Sequence, residues 1–184
     1  MKLEYILYNI NYFLGFEKTY HKQALYRLFD ECNQRYFGGK LPKIKILVNN
    51  DMDNIWGQML VNINVIEAKF TPLNIFINLK GIGDNNKDLL NVMVHEMVHC
   101  WEYCIGGTST KNWANAWIIW LTELRDVDFS NNPTKYEEIW NKIKIELGHG
   151  TDDIHSEMFM QKCHELNEKF PELELKVSFN SSKL

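Results

Sequence analysis

The stretch "NVMVHEMVHCWEY", residues 91–103, constrains this chain most because it carries two histidines and a glutamate within five positions of an apolar run. Each residue of an α-helix advances about 100°, so positions i and i+4 lie on one face, about one turn apart. His95 and His99 therefore point the same way, as two ligands of one ion must, and Glu96 lies beside them. The stretch predicts a helix that holds either a metal ion or a buried pair of hydrogen-bonded histidines.

Two histidines on one helical face suit Zn²⁺, whose catalytic sites take three protein ligands and leave one position open. The pattern His-Glu-x-x-His indicates a metallopeptidase in which the glutamate is the general base rather than a ligand. A structural zinc site favours cysteine and has no need of a base, and Cys100 points about 100° away from His99 around the helix. The residues therefore favour a catalytic Zn²⁺ site with Glu96 as its base.

The third ligand has to come from elsewhere, since no glycine or histidine follows His99 at the spacing of the extended metzincin pattern. His155 opens "HSEMF" near the start of a predicted helix, where its side chain can project from the helix end into a cleft. His164 lies half a revolution further round the same helix, so the two cannot both face one ion. We favour His155, with His149 in a turn as the alternative. A carboxylate comes last, either Glu102 or Glu157.

The first half of the chain alternates helical and extended patterns, as an α+β domain does. Residues 19–37 place apolar side chains at helical spacing, and "GGKLP" ends that helix. Three strands are predicted, bounded by Asn, Thr and Pro: "KIKILVNN", "WGQMLVNINVIEAKF" and "LNIFINL". Asp84 or Asn86 is then expected to cap a helix over residues 88–104.

A tryptophan-rich helix is predicted after the His-Glu-x-x-His segment. One face of it carries Trp113, Trp117, Trp120 and Leu124. That face is interpreted first as one packed into a core, and the alternatives are a lid over the cleft or a platform that stacks unpaired bases. Two further helices are predicted, "KYEEIWNKIKIEL" and "DIHSEMFMQKCHELNEKF".

Net charge and cysteine usage limit the classes of partner and the cellular compartment that we expect for this protein. A net charge of -4 argues against nucleic-acid binding by bulk electrostatics, and the local lysine groups are interpreted as solvated surface. None of the four cysteines forms a CxxC pair, and Cys100 and Cys104 are expected to be free, mostly buried thiols in a reducing compartment. No uncharged apolar run approaches the about 20 residues that span a bilayer, and no signal-peptide pattern is evident. We therefore predict a cytoplasmic protein without a membrane partner.

Three segments resemble the SprT-like (Spartan-type) metallopeptidases, in the order in which that family has them. "LFDECNQRYFGGKLPKIKI" is similar to the family's opening helix and turn, and "DLLNVMVHEMVHCWEY" is similar to its catalytic helix. "HSEMFMQKCHELN" resembles a segment whose leading histidine is the third zinc ligand, a role that the resemblance gives to His155. Phe159 stands at the matching position of that segment, whereas Ser156 replaces the family's usual glycine.

The resemblance implies a single zincin-like domain over residues 1–184, with a small mixed or antiparallel sheet packed on the His-Glu-x-x-His helix. Its core is expected at about 19–104 and 150–170, with a Trp-rich helical insert at about 105–149 and no C-terminal zinc ribbon. The implied zinc ligands are His95, His99 and His155.

The implied activity is zinc-dependent endopeptidase cleavage of proteins, with a zinc-bound water as nucleophile and Glu96 as general base. DNA-associated or DNA-crosslinked proteins are candidate substrates. Tyr103 is a candidate donor to the oxyanion, and the strand that holds "WGQML" could offer its edge to an extended substrate. The alternative is a non-catalytic, zinc-stabilised accessory domain that binds DNA or protein.

Overall fold

The computed structural model describes residues 18–52, 55–64, 69–83, 85–106, 115–116, 118–128, 130–146 and 155–176. In chain order the elements are α1 (Lys18–Phe37), β1 (Lys45–Val48), β2 (Gly57–Asn64), β3 (Lys69–Ile77), α2 (Leu79–Ile82), α3 (Asn86–Trp101), a π-helical turn (Glu102–Gly106), a second π-helical turn (Trp120–Leu124), α4 (Pro133–Glu146) and α5 (Glu157–Lys169). The class is α+β, as predicted.

The three strands form one mixed sheet in the order β1-β3-β2. β1 runs parallel to the central strand β3, and β2 runs antiparallel to it. The register shifts at Leu60 and Val61, so that they oppose Asn74 and Pro72 and leave Leu73 as an extra residue. Such a bulge tolerates a proline because the ladder is already interrupted there. The prediction that this proline bounds the strand was therefore wrong, and β3 extends back to Lys69.

One hydrophobic core lies between the inner face of the sheet and helices α1, α3 and α5. Its largest fully buried side chains come from all four: Leu25, Leu28 and Phe29; Ile46, Ile75 and Ile77; Met93 and Met97; Phe159 and Leu166. Met93 and Met97 point inward from α3, and Trp101 packs against the rim of the same cluster. The core thus fixes α3 against the sheet along one side and against α5 along the other.

The turn after α1 is held by one side chain. Asn33 Nδ2 donates to the carbonyl of Leu41 at 3.0 Å, and Asn33 Oδ1 accepts the N–H of Leu41 at 3.1 Å. Gly38 and Gly39 between them have φ of 63° and 72°, a region that side chains rarely adopt. The asparagine and the two glycines therefore direct the chain from α1 into β1.

Replacing Asn33 by alanine should lower the free energy of unfolding by about 1–3 kcal/mol, because both backbone groups of the buried Leu41 lose their partner. Urea denaturation would measure the loss. Gln34→Ala, at the exposed next position, is the control and should change stability by less than about 0.5 kcal/mol. Equal effects of the two substitutions would contradict this role for Asn33.

The residue that caps helix α3 lies one position away from each of the two predicted caps. Asn85, rather than Asp84 or Asn86, is the capping residue, and its side chain accepts hydrogen bonds from the N–H groups of Lys87 and Asp88. Asn86 is already the first helical residue, and Asp84 lies outside the described residues. Three adjacent Asx residues offer equivalent caps, so only the backbone geometry distinguishes them.

The helix changes type after the second histidine. Its α-helical hydrogen bonding ends at Trp101, and a π-helical turn follows from Glu102. The wider i→i+5 turn displaces the residues that follow from the α-helical frame. Cys100 is buried as expected, but Cys104 is exposed, so the prediction of two mostly buried thiols was wrong for Cys104.

The described part of the predicted insert has a small core of its own. Four side chains form it: Ala116, Leu124, Ile139 and Ile143. Trp120 packs against this cluster while partly exposed, as the packing interpretation expects for that residue. Trp113 and Trp117 lie outside the described residues, so the shared tryptophan face stays a prediction. Among the helices that the structure describes, none combines the length and apolar character that a membrane crossing requires.

Candidate metal centre

Three imidazoles from two separate parts of the chain meet at one point. His95 and His99 lie one turn apart on α3, and His155 lies two residues before α5. Their ring centroids are 5.2 Å apart for His95–His99 and 5.1 Å for each of the other two pairs. One nitrogen from each ring lies within 4.8 Å of the other two. The structure thus brings together the three histidines that the sequence favoured.

Phe159 forms the floor of this cluster. Its ring centroid lies 4.9 Å from that of His95 and 4.3 Å from those of His99 and His155. The phenyl side chain is fully buried, and it fills the space beneath the imidazoles one helical turn after His155. The phenyl ring offers the imidazoles no strong hydrogen-bonding group on that side of the cluster.

His95 is the most tightly held of the three rings. Its Nδ1 lies 3.0 Å from the carbonyl oxygen of Lys176, so the ring donates Nδ1–H to that oxygen and keeps Nε2 for a metal ion. Burial, reinforced by the nearby rings of His99 and His155, lowers the pKa of His95 to about 2, although the bond to Lys176 opposes this. His95 is therefore neutral at physiological pH, the form that binds a metal ion.

The segment 170–176, which we call the strap, places the Lys176 carbonyl beside the His95 ring. Asn167 fastens it with two bonds to Leu175, accepting its N–H at 2.8 Å and donating to its carbonyl at 3.0 Å. Asn91, buried on α3 one turn before His95, accepts the N–H of Glu174 at 2.9 Å. Sequence reasoning missed the strap, although a lone asparagine on a buried helical face signals a polar partner in the fold.

His99 faces Glu102 and Tyr103. Its Nδ1 lies 3.8 Å from Glu102 Oε2, and its ring stacks at 16° on that of Tyr103 with centroids 6.5 Å apart. Burial and the nearby carboxylates of Glu102 and Glu96 raise the pKa of the Tyr103 hydroxyl above its usual value. Tyr103 is therefore protonated near neutral pH and can donate a hydrogen bond.

Helix α5 begins at Glu157, later than the sequence predicted, because Ser156 is its cap. The Ser156 hydroxyl accepts the N–H of Phe159 at 3.1 Å, and the backbone there is extended, with φ of -70° and ψ of 159°. Any L-residue adopts this conformation, so the departure from the family's usual glycine does not disturb the turn. His155 therefore projects from the residue before the cap toward α3.

Of the other candidate ligands, the three that the structure describes lie outside this cluster. His164 is exposed on α5 and lies 3.2 Å from Glu168. Glu157 is exposed at the start of that helix. Glu102 is buried but accepts a hydrogen bond from Ser156 and does not belong to the converging cluster. His149 lies outside the described residues.

Glu96 is a buried carboxyl group beside the histidines. It is 4% exposed, and burial raises its pKa to about 7, while His99 and the Met59 N–H, which donates to it, act in the opposite direction. Gly57 allows β2 to come this close: a Cβ there would lie 2.7 Å from Glu96 Oε1 and 2.7 Å from Val92 Cγ1. Sequence reasoning missed Gly57, although a glycine within a strand pattern often marks such an approach.

The three histidines suit a metal ion of intermediate softness. Three imidazoles, two of them almost fully buried and one held neutral, match the preference of Zn²⁺ and similar ions for nitrogen ligands. The adjoining carboxyl, with its pKa near neutrality, can take and return a proton close to physiological pH. The arrangement can therefore hold an ion and transfer protons beside it.

The chain matches a protein-family model. A model of the SprT-like family matches residues 25–137, which is more than half of the chain. The matched region includes His95, Glu96 and His99 but ends before His155, whose position in the cluster comes from the fold. Neither the curated proteins nor the solved structures gave a significant match.

Proposed function

Because this chain belongs to the SprT-like family and gathers three histidines beside a buried glutamate, we propose that it is a zinc-dependent endopeptidase. His95, His99 and His155 hold the zinc ion. When bound, the ion would act as a Lewis acid: it would polarise the scissile carbonyl and make a water molecule nucleophilic near neutral pH. The convergence of the three imidazoles next to Glu96 is the observation that carries this proposal.

Glu96 is the general base and then the general acid. Its carboxylate accepts the proton of the attacking water and delivers it to the leaving amine. The N–H of Met59 holds the carboxylate in place. The raised pKa supports both roles, because a group that titrates near neutral pH gives up and takes back a proton with little cost.

Two further parts of the chain serve the substrate. Among the described residues β2 pairs with β3 on one side, and the Met59 N–H on its other side points to Glu96. An extended peptide can add to that edge as a strand, which would place its backbone beside the base. Tyr103, stacked on His99, donates a hydrogen bond to the oxyanion that forms at the scissile carbonyl.

The proposal is tested by combining metal analysis with cleavage of an unfolded protein such as casein. We expect about one zinc per chain, cleavage that a chelator abolishes, and recovery when zinc is restored. Zinc binding without chelator-sensitive cleavage would instead assign the chain to the non-catalytic, zinc-stabilised class of accessory domain. The family resemblance adds DNA-crosslinked protein as a candidate substrate, so the assay is run with and without single-stranded DNA.

Replacing Gly57 by alanine should lower both stability and cleavage, because the new methyl group overlaps Glu96 and Val92. Overpacking of this kind typically costs about 1–3 kcal/mol. The histidines do not depend on Gly57, so bound zinc should be retained. Gln58→Ala, at the adjacent exposed position of β2, is the matched control and should behave as wild type. A fully active and stable Gly57→Ala protein would contradict the close approach of β2 to the base.

A further inference from the structure

Glu102 is a buried acidic side chain that the proposed chemistry does not use. It is 5% exposed and lies at the first position of the π-helical turn, three residues after His99. Its Oε1 accepts a hydrogen bond from the Ser156 hydroxyl, and its Oε2 lies 3.8 Å from His99 Nδ1. A carboxylate withdrawn from water is destabilising unless hydrogen bonds and charge compensate it, so this placement is not that of a solvated surface acid.

Ser156 connects this carboxylate to the element that carries the third histidine. Its hydroxyl donates to Glu102 and accepts the N–H of Phe159, so one side chain caps α5 and contacts the turn that follows α3. Ser156 is itself 6% exposed, which shields both bonds from water. Since His155 is the preceding residue, the same contact fixes its backbone relative to His99.

We propose that Glu102 and Ser156 form a positioning pair for the metal ligands. Glu102 acts on the His99 ring electrostatically from 3.8 Å at Nδ1, which leaves Nε2 as the nitrogen for the ion, and it holds the His155 backbone through its hydrogen bond with Ser156. Carboxylates beside the non-ligating nitrogen of a histidine fix its tautomer and ring orientation and raise its basicity. The inference rests on the proposed function, because it assumes that the three histidines bind an ion.

The pair also gives a physical reason for serine at position 156. The backbone conformation there does not require glycine, and glycine has no hydroxyl to meet the buried Glu102. Glutamate at position 102 and serine at position 156 therefore depend on each other, and replacing either alone leaves a buried polar group without this partner.

The test measures zinc affinity by competition with a chromogenic chelator, together with the visible spectrum of the cobalt-substituted protein. Glu102→Gln should lower zinc affinity by about 10–100-fold, the usual effect of losing an outer partner of a ligand. It should also alter the cobalt spectrum at saturating metal, which a merely structural residue would not do. Glu157→Gln removes an exposed charge two residues after His155 and should change neither.

Substitutions of Ser156 form the second part of the test. Ser156→Ala should weaken zinc binding, Ser156→Thr should restore it because the hydroxyl returns, and the double variant Glu102→Gln/Ser156→Ala should lose less than the sum of the two single losses. Additive losses, or a Glu102→Gln protein with wild-type affinity and spectrum, would overturn the proposal. If Glu102→Gln fails to fold, the Ser156→Ala and Ser156→Thr comparison decides, and equal affinities would overturn it.

The outcomes separate this inference from the proposed function. A wild-type protein that binds one zinc but does not cleave protein would reject the peptidase activity, while the affinity series would still decide the role of Glu102. A wild-type protein that cleaves while Glu102→Gln matches it in affinity and spectrum would reject only the positioning pair. A wild-type protein that binds no zinc would reject both.

Discussion

Glu96→Gln should abolish peptide cleavage while the protein stays folded and keeps its zinc. Glutamine has the same shape and can still accept the Met59 N–H, but it cannot take a proton from water. Loss of general acid–base catalysis alone costs about 10²–10⁴-fold in rate, and we expect an effect in the upper part of that range or beyond, because one group serves both proton transfers. Initial rates on a fluorogenic protein substrate, with zinc measured on the same samples, would show this.

Retention of zinc by Glu96→Gln would distinguish loss of the general base from loss of the metal site. Glu96 does not belong to the cluster of converging histidine nitrogens, so removing its charge should leave the metal stoichiometry unchanged. Glu137→Gln, on the exposed surface of α4, controls for the chemistry of the exchange and should be fully active. A Glu96→Gln protein that loses zinc, or that fails to fold, would show that the role assigned to this glutamate is wrong.

His155→Ala should remove both zinc and activity. A ligand contributes directly to the coordination of the ion, so its loss should exceed the about 10–100-fold in affinity that loss of an outer partner typically costs. His164→Ala is the matched control, since that imidazole is exposed on α5, where it lies beside Glu168. It should retain one zinc and wild-type cleavage. Metal analysis after dialysis, followed by the cleavage assay, separates the two variants.

Folding has to be checked separately, because His155 is 5% exposed and its ring packs on Phe159. Circular dichroism of the metal-free proteins would show whether His155→Ala keeps the fold without the ring. A folded His155→Ala protein that still binds one zinc with wild-type affinity would reject this ligand set. His149→Ala would then be the next substitution to measure.

The two histidines of α3 could be predicted from sequence because their convergence is local. A spacing of four residues on one helix fixes their common direction whatever the rest of the chain does. His155 needed more, since its place at the start of a predicted helix favoured it but left His149 open, and the family resemblance was the second ground for choosing it. The structure brings His155 to the other two through the packing of α5 on α3, which is a tertiary contact that no local pattern encodes.

Glu102 shows why other parts of the site could not be predicted. Its charge and its distance from His99 in the sequence made it a candidate ligand, but its oxygen bonds Ser156 instead. That partner lies more than fifty positions away and caps another helix. The same holds for Gly57, whose closeness to Glu96 depends on how β2 packs against α3. Pairings of this kind follow from the fold, whereas the sequence reports only the residue types.

The strap has a consequence for where a minimal version of this protein can end. A fragment chosen to finish with α5 at Lys169 would contain every histidine of the cluster and all three strands. It would nevertheless lack the oxygen of Lys176 that selects which nitrogen of His95 carries its hydrogen. Such a shortened chain would have a complete set of ligands but would lack this hydrogen bond to the His95 ring, so possession of the motif residues is a poor guide to the extent of the working unit.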